Sequence, residues 1–308
     1  EKMLSNEKGN YDYLMFADID FEMNEVREEL KQWVKWYVEF SGVAGFRLDA
    51  IKHITLEYFN EWLDYIRKET GKELFTVGEY WAPFGLDILE RYLFESDFRM
   101  SLFDAPLQNK FHQASKQGSS FDLQKLFDNT LLSKHPAYSV TLVDNHDTQP
   151  LQALEAPVED WFKPLAYAII LLRKDGYPCV FYPDLYGAEY TDKGRDGNDY
   201  KIILSPVKEL PQLLKIRQKY AWGKQINYFD YSSTIGWTRL GDENHSNALA
   251  VVISNSNEGF KKMYVGEKFA GKQFVDSLAN RSEKITINAD GTADFTVNSG
   301  SVSVWINI

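Results

Sequence analysis

An arginine and an aspartate stand two positions apart in the run GFRLDAIKHI, residues 45 to 54, with a lysine and a histidine close behind. Charged residues are seldom fully buried unless paired, so Arg47, Asp49, Lys52 and His53 in an apolar setting point to a site. Two other strand-like runs also end in acids: Glu79 closes LFTVGE, and Asp144, His146 and Asp147 crowd the end of YSVTLVDNHD. Side chains alternate along a strand, which turns Phe46 and Leu48 one way and Arg47 and Asp49 the other. In a parallel α/β barrel the C-terminal strand tips share one face, where active sites are built. That gives Asp49, Glu79 and Asp147 a common location. Several carboxylates, a cation beside one of them and nearby aromatic rings suit glycoside hydrolysis, in which one acid protonates the leaving oxygen while an ionised one attacks or stabilises the anomeric carbon. Arg47 favours the ionised form of Asp49. Val77, Gly78, Tyr80 and Trp81 around Glu79 offer desolvation, which raises a carboxyl pKa toward that of a general acid.

The elements that must position these groups follow a helix–strand rhythm. Residues 24 to 39 read as a helix capped by Asn24, with Val26, Leu30, Trp33, Val34 and Tyr37 on one face and Gly42 as the stop. A second helix starts near Thr55, packs Phe59, Leu63 and Ile66, and ends around ETGKE. Further strands are expected at SLFDAP, YSVTLVDNHD and PCVFYP, with a helix beginning near Trp161 before the last of these. Helices between strands imply parallel pairing. Beyond about residue 222, short runs such as ALAVVISN and SVSVWINI, split by Gly, Asn and Asp, read as an antiparallel sandwich. NADG at 288 to 291 reads as a hairpin turn.

Composition narrows the class of partner. In 308 residues, 34 basic against 45 acidic groups give a net charge of −11, which argues against nucleic acid. No apolar run approaches the roughly 20 residues a bilayer span needs. Cys179 is the only cysteine, so no internal disulfide forms, and between Pro178 and Val180 it reads as a small buried hydrophobe. The 8 Trp, 18 Tyr and 20 Phe exceed what a core alone asks for and suit stacking on sugar faces.

GFRLDAIKHI, GEYW and LVDNHDTQP resemble three conserved regions of the α-amylase family of retaining glycoside hydrolases, in particular its bacterial liquefying type. The resemblance extends through KGNYDYLMFADIDF, WFKPLAYAIILLRKDGYPCVFYPDLYG and KKMYVGEKFAGKQFVD, and so covers essentially the whole chain. It implies that Asp49 is the nucleophile of a covalent glycosyl-enzyme intermediate and Glu79 the acid/base. Asp147 then binds sugar hydroxyls with His146 assisting, Arg47 pairs with the nucleophile, and Lys52 and His53 line the leaving-group side. It also implies structural Ca²⁺, with or without Na⁺, held by Asp12, Asp18, Asp20 and the backbone carbonyl of His53. Those aspartates are hard oxygen donors close in sequence, although they lack the spacing of an EF-hand loop.

The implied fold is α/β, a (β/α)8 TIM barrel of which only about strands 4 to 8 are present, followed by an all-β antiparallel sandwich. The expected boundaries are 1–221 for the partial catalytic barrel and 222–308 for the sandwich. The implied activity is endo-hydrolysis of α-1,4 bonds in starch, amylose and maltooligosaccharides. A maltooligosaccharide-producing amylase, an α-glucosidase, a transglycosylase and a non-catalytic glucan-binding protein remain as alternatives. Neither nucleic acid nor membrane is an expected partner, and polymeric substrate favours secretion over a cytoplasmic location. Five strands do not close a barrel. The chain is therefore expected to be the C-terminal part of a longer enzyme, inactive or unstable without a complementary N-terminal segment.

Overall fold

Helices and strands alternate from residue 24 onward in the computed structural model, which describes residues 19–307. Contacts divide the chain into two units interleaved in sequence, Glu1–Pro106 with Asn129–Val140, and Leu107–Asp128 with Thr141–Ile308.

The first unit begins with α1 (Asn24–Ser41), β1 (Gly45–Leu48), α2 (Leu56–Thr70), β2 (Phe75–Gly78), α3 (Leu86–Glu95) and β3 (Ser101–Phe103). After α4 (Ala105–Gln117), which runs across the division, α5 (Leu131–Lys134) leads into β4 (Ser139–Leu142). β1 pairs with β2, β2 with β3, and β3 with β4, all parallel. The sheet order is β1-β2-β3-β4-β5, with β5 at Tyr177–Cys179 after α6 (Lys163–Leu172). Strands in sequence order with helices between them form the half-barrel sheet expected of strands 4 to 8. Both early helices stop where glycine permits a left-handed turn, Gly42 at φ 69° and Gly71 at φ 64°. Val34, Val38, Leu63, Ile66, Leu93 and Leu102 lie in one buried cluster, against which Phe46 and Leu48 pack. That packing turns Arg47 and the residue after β1 to the opposite face.

Two expectations for α1 need correction. Met23, not Asn24, is the N-cap, because the first helical bond runs from the Arg27 N–H to the Met23 carbonyl. Trp33 is 47 % exposed, so the buried stripe runs through Val34 and Val38 instead, and Trp33 stacks on Tyr37 at 5.2 Å between ring centroids.

In the second unit α7 (Tyr182–Tyr186) precedes an antiparallel hairpin, β6 (Ala188–Lys193) and β7 (Asp199–Leu204), and then α8 (Leu210–Tyr220). Cys179 is exposed rather than buried: β5 is the edge strand of the sheet, and its neighbour Tyr177 is also open to solvent. The rest is antiparallel: β8 (Gln225–Tyr228), β9 (Thr234–Arg239), β10 (Leu249–Ser254), β11 (Gly259–Tyr264), β12 (Gln273–Asp276), β13 (Lys284–Thr286), β14 (Thr292–Val297) and β15 (Ser301–Asn307). Six of these form a sheet ordered β13-β12-β15-β10-β9-β8, and β11 with β14 forms another. Ala250, Val252, Met263, Phe274, Phe295 and Trp305 share one buried cluster, the filling of the expected sandwich. The NADG turn does form, with the Gly291 N–H on the Asn288 carbonyl at 3.0 Å. It is no hairpin, however: β13 pairs with β12 and β14 with β11, so the turn carries the chain from one sheet to the other.

Candidate active site

β1 and β2 are in register from Gly45 opposite Phe75 to Leu48 opposite Gly78, and Asp49 and Glu79 each follow the last pair. The ladder continues past that pair: the Glu79 N–H donates to the Leu48 carbonyl at 2.8 Å and the Ile51 N–H to the Glu79 carbonyl at 3.2 Å. Neighbouring strands lie about 4.8 Å apart, so the two acids leave adjacent tips at the same level. This closeness depends on Gly45. A Cβ there would sit 2.0 Å from the Phe75 carbonyl oxygen, and the strands could not stay paired.

Ala50 then takes up φ 47°, ψ 37°, a left-handed conformation that costs a Cβ-bearing residue roughly 1–2 kcal/mol. The turn aims the Ala50 N–H at Oε2 of Glu79, 3.0 Å away, and leads into a 3₁₀ turn, Ile51–His53. The two acids thus have unlike surroundings. Glu79 is 8 % exposed. The Asp49 side chain is 73 % exposed and accepts from Nη1 of Arg47 at 2.5 Å. Lys52 and His53 are half-buried on the 3₁₀ turn directly after Asp49. Burial, and then the charge of Lys52, push the His53 pKa below its usual value, which leaves a neutral ring at pH 7.

His146 and Asp147 belong to the second unit, on the loop after β4. His146 Nε2 lies 3.3 Å from Asp147 Oδ2, and the Asp147 side chain is partly open. Asn145 shapes the turn: its Oδ1 accepts the N–H groups of Asp147 at 2.9 Å and Thr148 at 2.8 Å. Its own N–H donates to Thr148 Oγ1 at 2.9 Å. The structure therefore groups Arg47, Asp49, Glu79, Lys52 and His53 in the first unit, and His146 with Asp147 in the second.

Two further strand-tip acids are structural. Asp104, directly after β3, is fully buried and accepts the N–H groups of Leu131 and Leu132 at 3.1 and 2.7 Å, holding the start of α5. Asp144 is 4 % exposed and lies 3.2 Å from the buried Lys163 ammonium. Lys163 in turn lies 2.6 Å from Asp184, which is fully buried. Sequence reasoning named Asp144 without foreseeing this network. The available signal was Lys163 itself, a lone cation at the head of the apolar run KPLAYAIILL.

Of the expected metal ligands, Asp12 and Asp18 lie outside the described residues. Asp20 already accepts the Glu22 N–H on Oδ1 at 2.9 Å. Among the described residues no group of three or more His, Cys, Asp or Glu side chains could hold a metal ion. Calcium takes six to eight oxygens, so Asp20 and one His53 carbonyl do not fit it by themselves.

Parallel strands with acids at their C-terminal tips, followed by an antiparallel sandwich, define a barrel-type catalytic domain and, after it in sequence, a β-domain. The family model described as the alpha-amylase catalytic domain matches residues 6–265, and that of the alpha-amylase C-terminal domain matches 249–306. The chain belongs to the alpha-amylase family. An alpha-amylase of Geobacillus stearothermophilus is 50 % identical over 304 residues, 98 % of this chain and 53 % of its own length. One from Bacillus licheniformis is 48 % identical over 304 residues, 98 % of this chain and 58 % of its own. The chain spans about half the length of the curated relatives it matches. The crystal structure of an Anoxybacillus alpha-amylase superposes with a TM-score of 0.70 over 95 % of this chain and 65 % of that one; at 18 % identity it speaks to the fold alone.

Proposed function

We propose that the protein hydrolyses internal α-1,4-glucosidic bonds of starch, amylose and maltooligosaccharides, with net retention. The observation that carries this reading is the pairing of Asp49 and Glu79 at equal positions on adjacent parallel tips, one open beside a cation and the other buried. Retaining glycosidases hold their two carboxyls only about 5–5.5 Å apart, a spacing that neighbouring strands favour. Asp49, beside the Arg47 guanidinium, attacks the anomeric carbon. Glu79 gives its proton to the leaving glycosidic oxygen, then takes one from the water that releases the sugar from Asp49. Asp147, with His146, accepts hydroxyls of the bound ring and favours its distorted form. Lys52 and neutral His53 hold the leaving-group side, where an imidazole both donates to and accepts from sugar hydroxyls.

Family membership and the acidic run at Asp12, Asp18 and Asp20 support structural calcium, with or without sodium; no chemical step needs the ion. Titration with Ca²⁺ after chelation checks this through the melting temperature, and an unchanged value removes the metal from the account. A polymeric substrate favours an exported protein. The test of the chemistry is Glu79→Gln. It should lose about 10²–10⁴-fold in kcat/KM on starch but much less in kcat/KM on a maltosyl fluoride, whose leaving group needs no proton. Equal losses on both substrates would remove Glu79 as the acid.

A further inference from the structure

Asp144 does not face solvent, yet it begins the loop that presents His146 and Asp147. Its Oδ1 accepts from the Thr148 hydroxyl at 3.3 Å and from the Val158 N–H at 3.2 Å, so one carboxylate ties both ends of residues 145 to 158. Thr148 is the junction of that loop. Besides meeting Asp144 and the Asn145 N–H, it offers its carbonyl to the Ala156 N–H at 2.9 Å. Behind Asp144 stands Lys163, 5 % exposed, shared between Asp144 at 3.2 Å and Asp184 at 2.6 Å. Asp184 is anchored in turn by the Tyr167 hydroxyl at 2.6 Å.

A buried ion pair is seldom the most stable way to fill a core, since apolar residues of similar volume often do as well or better. If Lys163 served only to join α6 to α7, its contact with Asp184 would be enough. The second contact, to Asp144, reaches the loop that carries Asp147. We propose that Lys163 is a positioning residue for Asp147: its ammonium fixes Asp144, Asp144 fixes Thr148 and Val158, and these fix the turn from which Asp147 projects. The proposal rests on the reading of Asp147 as a sugar-holding acid.

The experiment compares Lys163→Met, Thr148→Val and Asp147→Asn in the full chain. Amide hydrogen exchange is followed at Asp147 and Thr148, with the amides of β10 as the measure of global stability, alongside kcat and KM on maltohexaose. Thr148→Val deletes the hydroxyl, and with it both the link to Asp144 and the acceptor of the Asn145 N–H. It should speed exchange at Asp147 and Thr148 at least about tenfold while β10 stays unchanged, and lower kcat at least about tenfold with little change in KM. Lys163→Met should also speed exchange at Asp147 and Thr148 and lower kcat, beyond the faster exchange in β10 that its lower global stability brings, and if it fails to fold, Lys163→Gln decides. Exchange within twofold of wild type at Asp147 and Thr148 overturns the proposal. So does faster exchange with unaltered kcat while Asp147→Asn is impaired. Full activity in Asp147→Asn would instead overturn the sugar-holding role, and exchange alone would then judge the clamp.

Discussion

Asp49 and Asp144 occupy nearly the same place in their respective units, one and two residues past the end of a parallel strand, and their surroundings make opposite use of a carboxylate. Asp49 is 73 % exposed beside Arg47, free to meet a ligand. Asp144 is sealed against Lys163 and holds backbone in place. Burial pushes Asp144 up to about 7, with the Asp184 charge adding to the rise and Lys163 opposing it. The two aspartates in turn hold the Lys163 ammonium above its usual range, against its own burial. A strongly shifted group is often taken to mark catalysis. Here a strongly displaced carboxyl is an anchor, and the proposed nucleophile is set apart by access and by the neighbour at its side.

Mutations sharpen that contrast. The largest effect should fall on activity at the open acid: Asp49→Asn should cost about 10³-fold or more in kcat, with a melting temperature close to wild type. Lys163→Met should add to its smaller loss of kcat a loss of about 3–5 kcal/mol of stability, because two buried acids lose their cation; urea denaturation measures it. Gly45→Ala should cost about 3 kcal/mol, since the new methyl must push β1 off β2, and it should abolish activity as well.

Smaller in size is a pH effect. The folded chain keeps a proton on Asp144 up to about pH 7, whereas the unfolded chain releases it near 3.8. Between those values the unfolded state binds fewer protons, so this group's contribution to stability falls as pH rises. Asp144→Asn should flatten that decline in urea midpoints taken at pH 4, 5.5 and 7, and an unchanged slope would contradict the assignment. The Lys163 contribution, present below its unfolded pKa of 10.5, is lost only as pH rises through its higher folded value, outside that window. The smallest stability change should come from Arg47→Ala, under about 1 kcal/mol for so exposed a pair.

Much of this contrast was open to inspection in the sequence, because alternation and glycine stops are strong local signals. GFRLD, TVGE and the helix between them follow directly from Phe46 and Leu48 packing inward and from Gly42 and Gly71 ending helices. The hairpin β6–β7 was silent because its strands are mostly exposed and carry no apolar alternation, although Gly194, Gly197 and Asn198 mark the turn. NADG was half legible: a local turn shows in four residues, but the choice of partner strands rests on distant packing. Trp33 and Cys179 were misjudged for a related reason, since an apolar residue type does not reveal whether a neighbouring element covers it. At the site, Asp49 and Glu79 could be read from strand ends. The difference between Asp147, partly open, and Asp144, sealed, could not, because it depends on a lysine 19 positions further along.

The proposed pairing of an open nucleophile with a buried acid is tested most directly by trapping. Glu79→Gln protein is incubated with a slow, activated fluorinated maltosyl fluoride, and its proteolytic peptides are weighed. The expected result is one added glycosyl group, on the peptide that contains Asp49. A label on any other acid, or none while the fluoride is still consumed, would contradict the central claim.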